Sequence, residues 1–205
     1  MIYVIVGAPG AGKTYFATKI ALSEMKGKGL FRRCPRPVYT NFPVIDRKHN
    51  LSTRYWESSY VYENVQDSVI IIDEAYLDFS SRDYKNFDKD KQVFFAQNRH
   101  QGNDIYTIVQ NASRVDLIVR EMTNVLYYMH NVSLFGRPLL FIVDVIHDLN
   151  EMGKLKPSPL SVVKKKIFLF RPSVAAAYDT HAYRRSSPPF ESETWKEKLK
   201  SQSIS

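Results

Sequence analysis

The sequence predicts an α/β fold with a mainly parallel central sheet flanked by helices. Three observations predict it. Residues 2–6, IYVIV, are a continuous apolar and β-branched run that meets a glycine-rich bend and then a helical stretch. Residues 69–74, VIIIDE, read as a second buried strand, and this one ends in acids. Further buried-strand runs alternate with helical patterns, the order that builds a parallel sheet covered on both faces.

The elements follow in order. TYFATKIALSEMKGKG (14–29) reads as a helix closed by Gly27 and Gly29. RPVYTNFPV (36–44) is extended, with prolines on both sides. DSVIIIDEAYLDF (67–79) contains the acid-ending strand, and FDKDKQVFFAQNRHQG (87–102) reads as a helix that stops at Gly102. DIYTIVQN (104–111) is a third buried strand ending in polar residues, and DLIVREMTN (116–124) a short helix. VLYYMHNV (125–132) and PLLFIVDVI (138–146) read as two more strands, paired as a hairpin around SLFGR. One further strand or helix is expected around 165–178. The expected division is a domain over 1–181 and a basic, Pro/Ser-containing tail over 182–205. There is no internal repeat.

Composition narrows the class. The 205 residues suffice for one domain with its own core. The single cysteine, Cys34, excludes an internal disulfide framework and a cysteine-built zinc site, and fits a reducing compartment. His100 and the other histidines lack metal-ligand spacing. No signal peptide is expected ahead of the first strand, and the apolar run 138–146 is broken by Asp144 and too short to cross a bilayer. The net charge is +8, unevenly spread: residues 151–205 hold 11 Lys+Arg against 5 Asp+Glu. Such a segment suits a polyanion partner, nucleic acid or an acidic membrane surface, or simply a solvated face.

GAPGAGKT, residues 7–14, fits the pattern G-x-x-x-x-G-K-S/T between a strand and a helix. This is the phosphate-binding P-loop, or Walker A motif. Glycines let successive backbone N–H groups turn inward, and the helix N-terminus adds partial positive charge. The candidate nucleotide-binding residues are Gly7, Ala8, Pro9, Gly10, Ala11, Gly12, Lys13, Thr14 and Tyr15. Lys13 is expected on the β- and γ-phosphates, and the Thr14 hydroxyl on magnesium. Asp73, at the carboxyl end of VIII, matches the Walker B acid and is the second candidate ligand for Mg2+. Glu74 can polarise an attacking water as general base. Adjacent Asp and Glu are the pattern of RecA-like NTPases that hydrolyse ATP, with an additional strand between loop and acid. DIYTIVQN supplies that strand, and Gln110 at its end can sense the γ-phosphate or orient the water. An arginine is still required for transition-state charge, commonly from a neighbouring subunit. Arg99, Arg114 and Arg120 are candidates, each equally suited to a surface ion pair, with Arg99 and Arg120 favoured. Tyr60, Tyr62, Tyr127 and Tyr128 can stack on bases but read better as strand residues facing a core or interface.

The order GAPGAGKT, IIIDEAY, then QNRHQGNDIYTIVQNASRVDLIVRE resembles the zonula occludens toxin-like branch of the FtsK–HerA superfamily, over residues 2–181. AAAYDTH (175–181) looks like the segment that closes its ATPase domain. The resemblance implies an ATP- and Mg2+-dependent ATPase with its glutamine at Gln110. The branch includes the assembly ATPases of filamentous phages. The superfamily also includes genome-packaging ATPases of icosahedral viruses with an internal membrane. The filamentous-phage proteins normally continue into a transmembrane helix, whereas this sequence ends at 205, which favours packaging.

The leading expectation is therefore an ATP-driven translocase that packages double-stranded viral DNA into a preformed capsid as a ring, a hexamer by the resemblance. It would work in the host cytoplasm, with capsid or membrane proteins of the virion as partners. The alternatives are an ATPase for filamentous virus assembly and extrusion, and a nucleotide-dependent switch. Glu74 beside Asp73 argues against the switch. A small-molecule kinase would need an arginine-rich lid, and none is evident.

Overall fold

The computed structural model describes residues 1–27, 34–56, 65–75, 89–110, 121–134, 137–147 and 158–178. The strands are β1 (Ile2–Val6), β2 (Val38–Thr40), β3 (Ile45–Asp46), β4 (Leu51–Ser52), β5 (Arg54–Tyr55), β6 (Val69–Ile72), β7 (Asp104–Val109), β8 (Val125–Leu134), β9 (Arg137–Ile146) and β10 (Val162–Leu169). The helices are α1 (Lys13–Met25), α2 (Lys89–Gln97) and the single turn α3 (Pro172–Ala175).

One sheet of order β10-β9-β8-β1-β7-β6-β2-β5 carries the molecule, and β3 with β4 forms a small separate ribbon. From β8 through β1, β7, β6 and β2 to β5 every pairing is parallel, while β9 runs antiparallel to both β8 and β10. The fold is thus the mainly parallel α/β fold that the sequence predicts. The hairpin is also found, and the expected element at 165–178 is both a strand and a helical turn. The expected helix at 116–124 and the proposed domain boundary lie mostly outside the described residues, as do Arg114, Arg120, Tyr60 and Tyr62.

Alternation along β1 explains why its sequence is apolar throughout. Ile2, Val4 and Val6 enter one core with Ile70, Ile72, Ile105, Phe94 and Phe95, while Ile5 enters the other with Phe16, Ala17, Leu22 and Ile108. A strand buried on both faces has no polar side to show. α1 covers the second face and α2 the first. Tyr127 lies in the α1-side core, where Tyr3 stacks flat between it and Tyr106, at centroid distances of 5.7 and 4.4 Å. It is a core residue and takes no part in stacking on bases.

The parallel strands aim their carboxyl ends at one edge, and β8 overshoots it. Val6, the last residue of β1, pairs with Tyr128, and β8 runs on to Leu134. With β9 and β10 this overhang makes a wall beside the loop that follows β1.

Candidate nucleotide site

The P-loop stands at the carboxyl edge, between the end of β1 and the start of α1. Gly12 caps α1 with φ 87°, in the left-handed region. A Cβ there would lie 2.2 Å from Phe141 Cε1 on β9, so both backbone and space demand glycine. Gly7 is forced by proximity instead, since a Cβ would meet the Met129 carbonyl oxygen at 2.8 Å. No side chain caps α1, so its first N–H groups remain available to an anion.

Lys13 Nζ donates to the carbonyls of Gly7 (2.8 Å) and Ala8 (3.0 Å). The ammonium therefore lies back on its own loop. Burial lowers the Lys13 pKa, partly offset by Asp73. Thr14 Oγ1 donates to Asp73 Oδ2 at 2.8 Å, which joins the start of α1 to the end of β6. Burial raises the Asp73 carboxyl, and the nearby Glu74 adds to this against the bonds from Thr14 and the Glu74 N–H. A hydroxyl and a carboxylate in contact are oxygen donors of the kind Mg2+ takes alongside substrate phosphates. No cluster of three or more His, Cys, Asp or Glu suited to a metal occurs among the described residues.

β7 lies between β1 and β6, hydrogen-bonded to both, and is the additional strand expected between loop and acid. Gln110 follows Val109, which pairs with Val6, so it stands level with the start of the P-loop and is exposed. Glu74 is exposed next to Asp73 with φ 52°, a left-handed conformation unusual for a side-chain-bearing residue. Its N–H donates to Asp73 Oδ1 at 2.8 Å.

Two predicted residues have side chains that lie away from this subunit's own cradle. Tyr15 is buried, stacked on Phe141 at 4.6 Å, and its hydroxyl accepts from the Arg171 N–H at 2.7 Å. Only its backbone is left to face a nucleotide. Arg99 is exposed in the turn after α2, at the amino end of β7, so the full strand, roughly 17 Å, separates it from its own P-loop edge.

Asn41, which the sequence reading passes over, is the largest addition. It is buried at the end of β2. Its Nδ2 donates to the Asp73 carbonyl and its Oδ1 accepts from the Asp73 N–H, each at 2.8 Å. The side chain thus replaces one rung of a ladder and fixes the backbone from which Asp73 and Glu74 project. Its only sequence signal is a polar residue closing an extended run, which many loops share.

Fold and cradle define a P-loop NTPase fold of the RecA-like, additional-strand type. The family model described as Zonular occludens toxin (Zot) matches residues 1–182, and the chain belongs to that family. Among solved structures, the N-terminal domain of zonular occludens toxin from Neisseria meningitidis is similar at 18% identity. That match has TM-score 0.62 and covers 87% of this chain and 98% of that one. The genome packaging NTPase B204 from Sulfolobus turreted icosahedral virus 2, in complex with ATP-gammaS, matches at 14% identity and TM-score 0.47, over 81% of this chain and 95% of that one. No curated protein matches the chain.

Proposed function

We propose that this chain hydrolyses ATP and uses the energy to move double-stranded DNA during virus assembly, as a ring of identical subunits. The observation that carries the reading is the 2.8 Å contact between Thr14 and Asp73 with β7 between their strands. That contact brings the two Mg2+-seeking oxygens together beside a phosphate cradle. In this reading the P-loop N–H groups and Lys13 hold the phosphates, and Lys13 swings from the Gly7 and Ala8 carbonyls to do so. Thr14 and Asp73 ligate Mg2+, which supplies charge neutralisation at the phosphates. Glu74 takes the proton of the attacking water, and Gln110 orients that water or senses the γ-phosphate. Arg99 or Arg120 of a neighbouring subunit stabilises the developing charge.

Two placements of the motor remain distinct. The sequence expectation is packaging into a preformed capsid, in the host cytoplasm with the virion or procapsid as partner. Membership of the Zot family favours the second, assembly and extrusion of a filamentous virus with membrane partners. Among the described residues no helix is long and apolar enough to cross a membrane, and this second reading needs membrane partners supplied by other chains.

The test is steady-state ATP hydrolysis with and without double-stranded DNA, beside Glu74→Gln. Salt-sensitive stimulation that the variant abolishes, with nucleotide binding retained, is the expected result. Slow turnover indifferent to DNA would leave a switch or a motor lacking its capsid or membrane partner, and restoration of stimulation by a partner chain would separate the two. Turnover retained in Glu74→Gln would place the base elsewhere.

A further inference from the structure

β10 is an edge strand that carries cations on the face turned toward α1. Lys164 and Lys166 alternate with Lys165 and share their face with Phe168, which packs on Tyr15, Phe16 and Phe141. From α1, Lys19 places its Nζ 4.0 Å above the Phe168 ring, while Lys166 Nζ lies 5.0 Å from the Tyr127 ring. Arg171 follows at the cap of α3, tied by its N–H to the Tyr15 hydroxyl. Lys19, Lys164, Lys166 and Arg171 are all exposed.

Aromatic faces seat two of these ammoniums, and among the described residues no carboxylate lies within ion-pair distance of any of the four. The one buried acid of this wall, Asp144, faces the other way and is 3.5 Å from Lys165. Partial desolvation against the Phe168 ring lowers the Lys19 pKa, and the neighbouring Arg171 and Lys166 lower it further. The Lys166 ammonium is lowered by burial and by Lys164. Crowded like charge is a cost to the fold, and a bound polyanion would relieve it.

We propose that Lys19, Lys164, Lys166 and Arg171 form a surface that binds the phosphate backbone of double-stranded DNA. The inference rests on the DNA-motor reading and says where that DNA lies. A nucleic-acid backbone fits better than a lipid surface. Alternate positions of one strand lie about 7 Å apart, the scale of neighbouring phosphates along a strand. The exposed apolar residues Ile167 and Leu169 of β10 alternate onto the face opposite Lys164 and Lys166, and Phe168, the apolar residue between the cations, is held packed on Tyr15, Phe16 and Phe141 rather than free to enter acyl chains. The surface also abuts the nucleotide site. Lys19 and Tyr15 are one helical turn apart on α1, and both touch Phe168. Phe141, against Phe168, is the residue that fills the space over Gly12.

The experiment is fluorescence anisotropy of labelled double-stranded DNA across a salt series, with ATP turnover measured in parallel. It uses wild type, Lys164→Gln/Lys166→Gln, and the charge-matched control Arg47→Gln/Lys48→Gln on the exposed β3–β4 turn. The patch variant should weaken binding at least tenfold and lower the slope of log affinity against log salt by about 2. It should lose DNA stimulation while basal turnover stays within about twofold. Equal loss in both variants would reduce the effect to net charge and overturn the patch. DNA binding and stimulation intact in the patch variant would overturn it too, with the motor reading untouched. A wild type that neither binds nor responds to DNA would overturn the patch and the motor together. Loss of binding to phosphatidylglycerol vesicles without loss of DNA binding would reassign the surface to a membrane.

Discussion

At the residue scale, the site is held by contacts whose removal should separate binding from chemistry. Asn41 clamps both backbone groups of Asp73, and the strained φ of Glu74 follows immediately. Asn41→Ala leaves a partly buried N–H and a partly buried carbonyl of Asp73 unpaired, which costs about 1–3 kcal/mol. The expected signature is a fall of at least tenfold in kcat with nucleotide affinity changed less than threefold, because the phosphate-facing backbone of residues 7–14 is built without Asn41, which reaches the loop only through the Asp73 contact to Thr14. Parallel loss of both would mean that Asn41 serves only the fold. Asn41→Asp should also fail: it keeps an acceptor for the Asp73 N–H but offers the carbonyl no donor and adds charge beside the acids. Gly12 gives the complementary case. Gly12→Ala collides with Phe141 and carries an unfavourable φ of about 1–2 kcal/mol. It should abolish nucleotide binding. Adding Phe141→Ala should restore only part of it, because the collision goes and the backbone strain stays. Full recovery measured by nucleotide titration would mean that φ is not limiting.

At the element scale, the small β3–β4 ribbon is pinned to the end of α1 by charge. Asp46 receives bonds from Lys26, from His49 Nδ1 at 2.8 Å and from the His49 N–H at 3.2 Å. Burial alone would raise its carboxyl, but these bonds outweigh burial and hold it at about 2. A carboxyl depressed on folding stabilises the protein above its unfolded pKa, and that contribution disappears as pH falls through the folded value. Between about pH 4 and pH 2 the wild type should lose on the order of 1 kcal/mol more stability than Asp46→Asn, after allowance for the solvent-exposed His49 partner. Thermal melts across that window check it, and identical acid slopes would refute the tether. No sequence pattern announces this ribbon, because two-residue strands have no periodicity to read. The long elements were legible for the opposite reason. β1, β6 and β7 are apolar on both faces, and Gly12, Gly27 and Gly102 mark bends with φ of 87°, 62° and 72°. Of the candidate site, Lys13 and Thr14 were legible because their spacing is fixed by the cradle, and Asp73 because it closes a run of four apolar residues. Asn41 was not, because its partner lies 32 residues away and only the β2–β6 pairing brings them together. Tyr15 shows what adjacency to the motif leaves open: the aromatic stack on β9 and β10 draws its side chain into the core, and only its backbone stays with the loop.

At the scale of the whole molecule, the two edges of the sheet do different work, and this sets what assembly must provide. The P-loop, Asp73, Glu74 and Gln110 share the carboxyl edge, whereas Arg99 stands at the amino end of β7. With a strand length between them, Arg99 cannot reach the nucleotide of its own subunit. If it takes part in hydrolysis, it does so across an interface. Complementation decides this. Lys13→Ala loses its own cradle but keeps Arg99, and Arg99→Ala keeps the cradle but loses the finger. Each alone should hydrolyse ATP at least tenfold more slowly than wild type. Mixed in equal amounts, they should recover a clear fraction of wild-type turnover, since some interfaces pair an intact cradle with an intact arginine. Recovery should rise with protein concentration as subunits associate. Turnover equal to the mean of the two separate variants at every concentration would exclude Arg99 as a residue acting in trans. The same mixture with Arg120→Ala in place of Arg99→Ala would then test the remaining candidate.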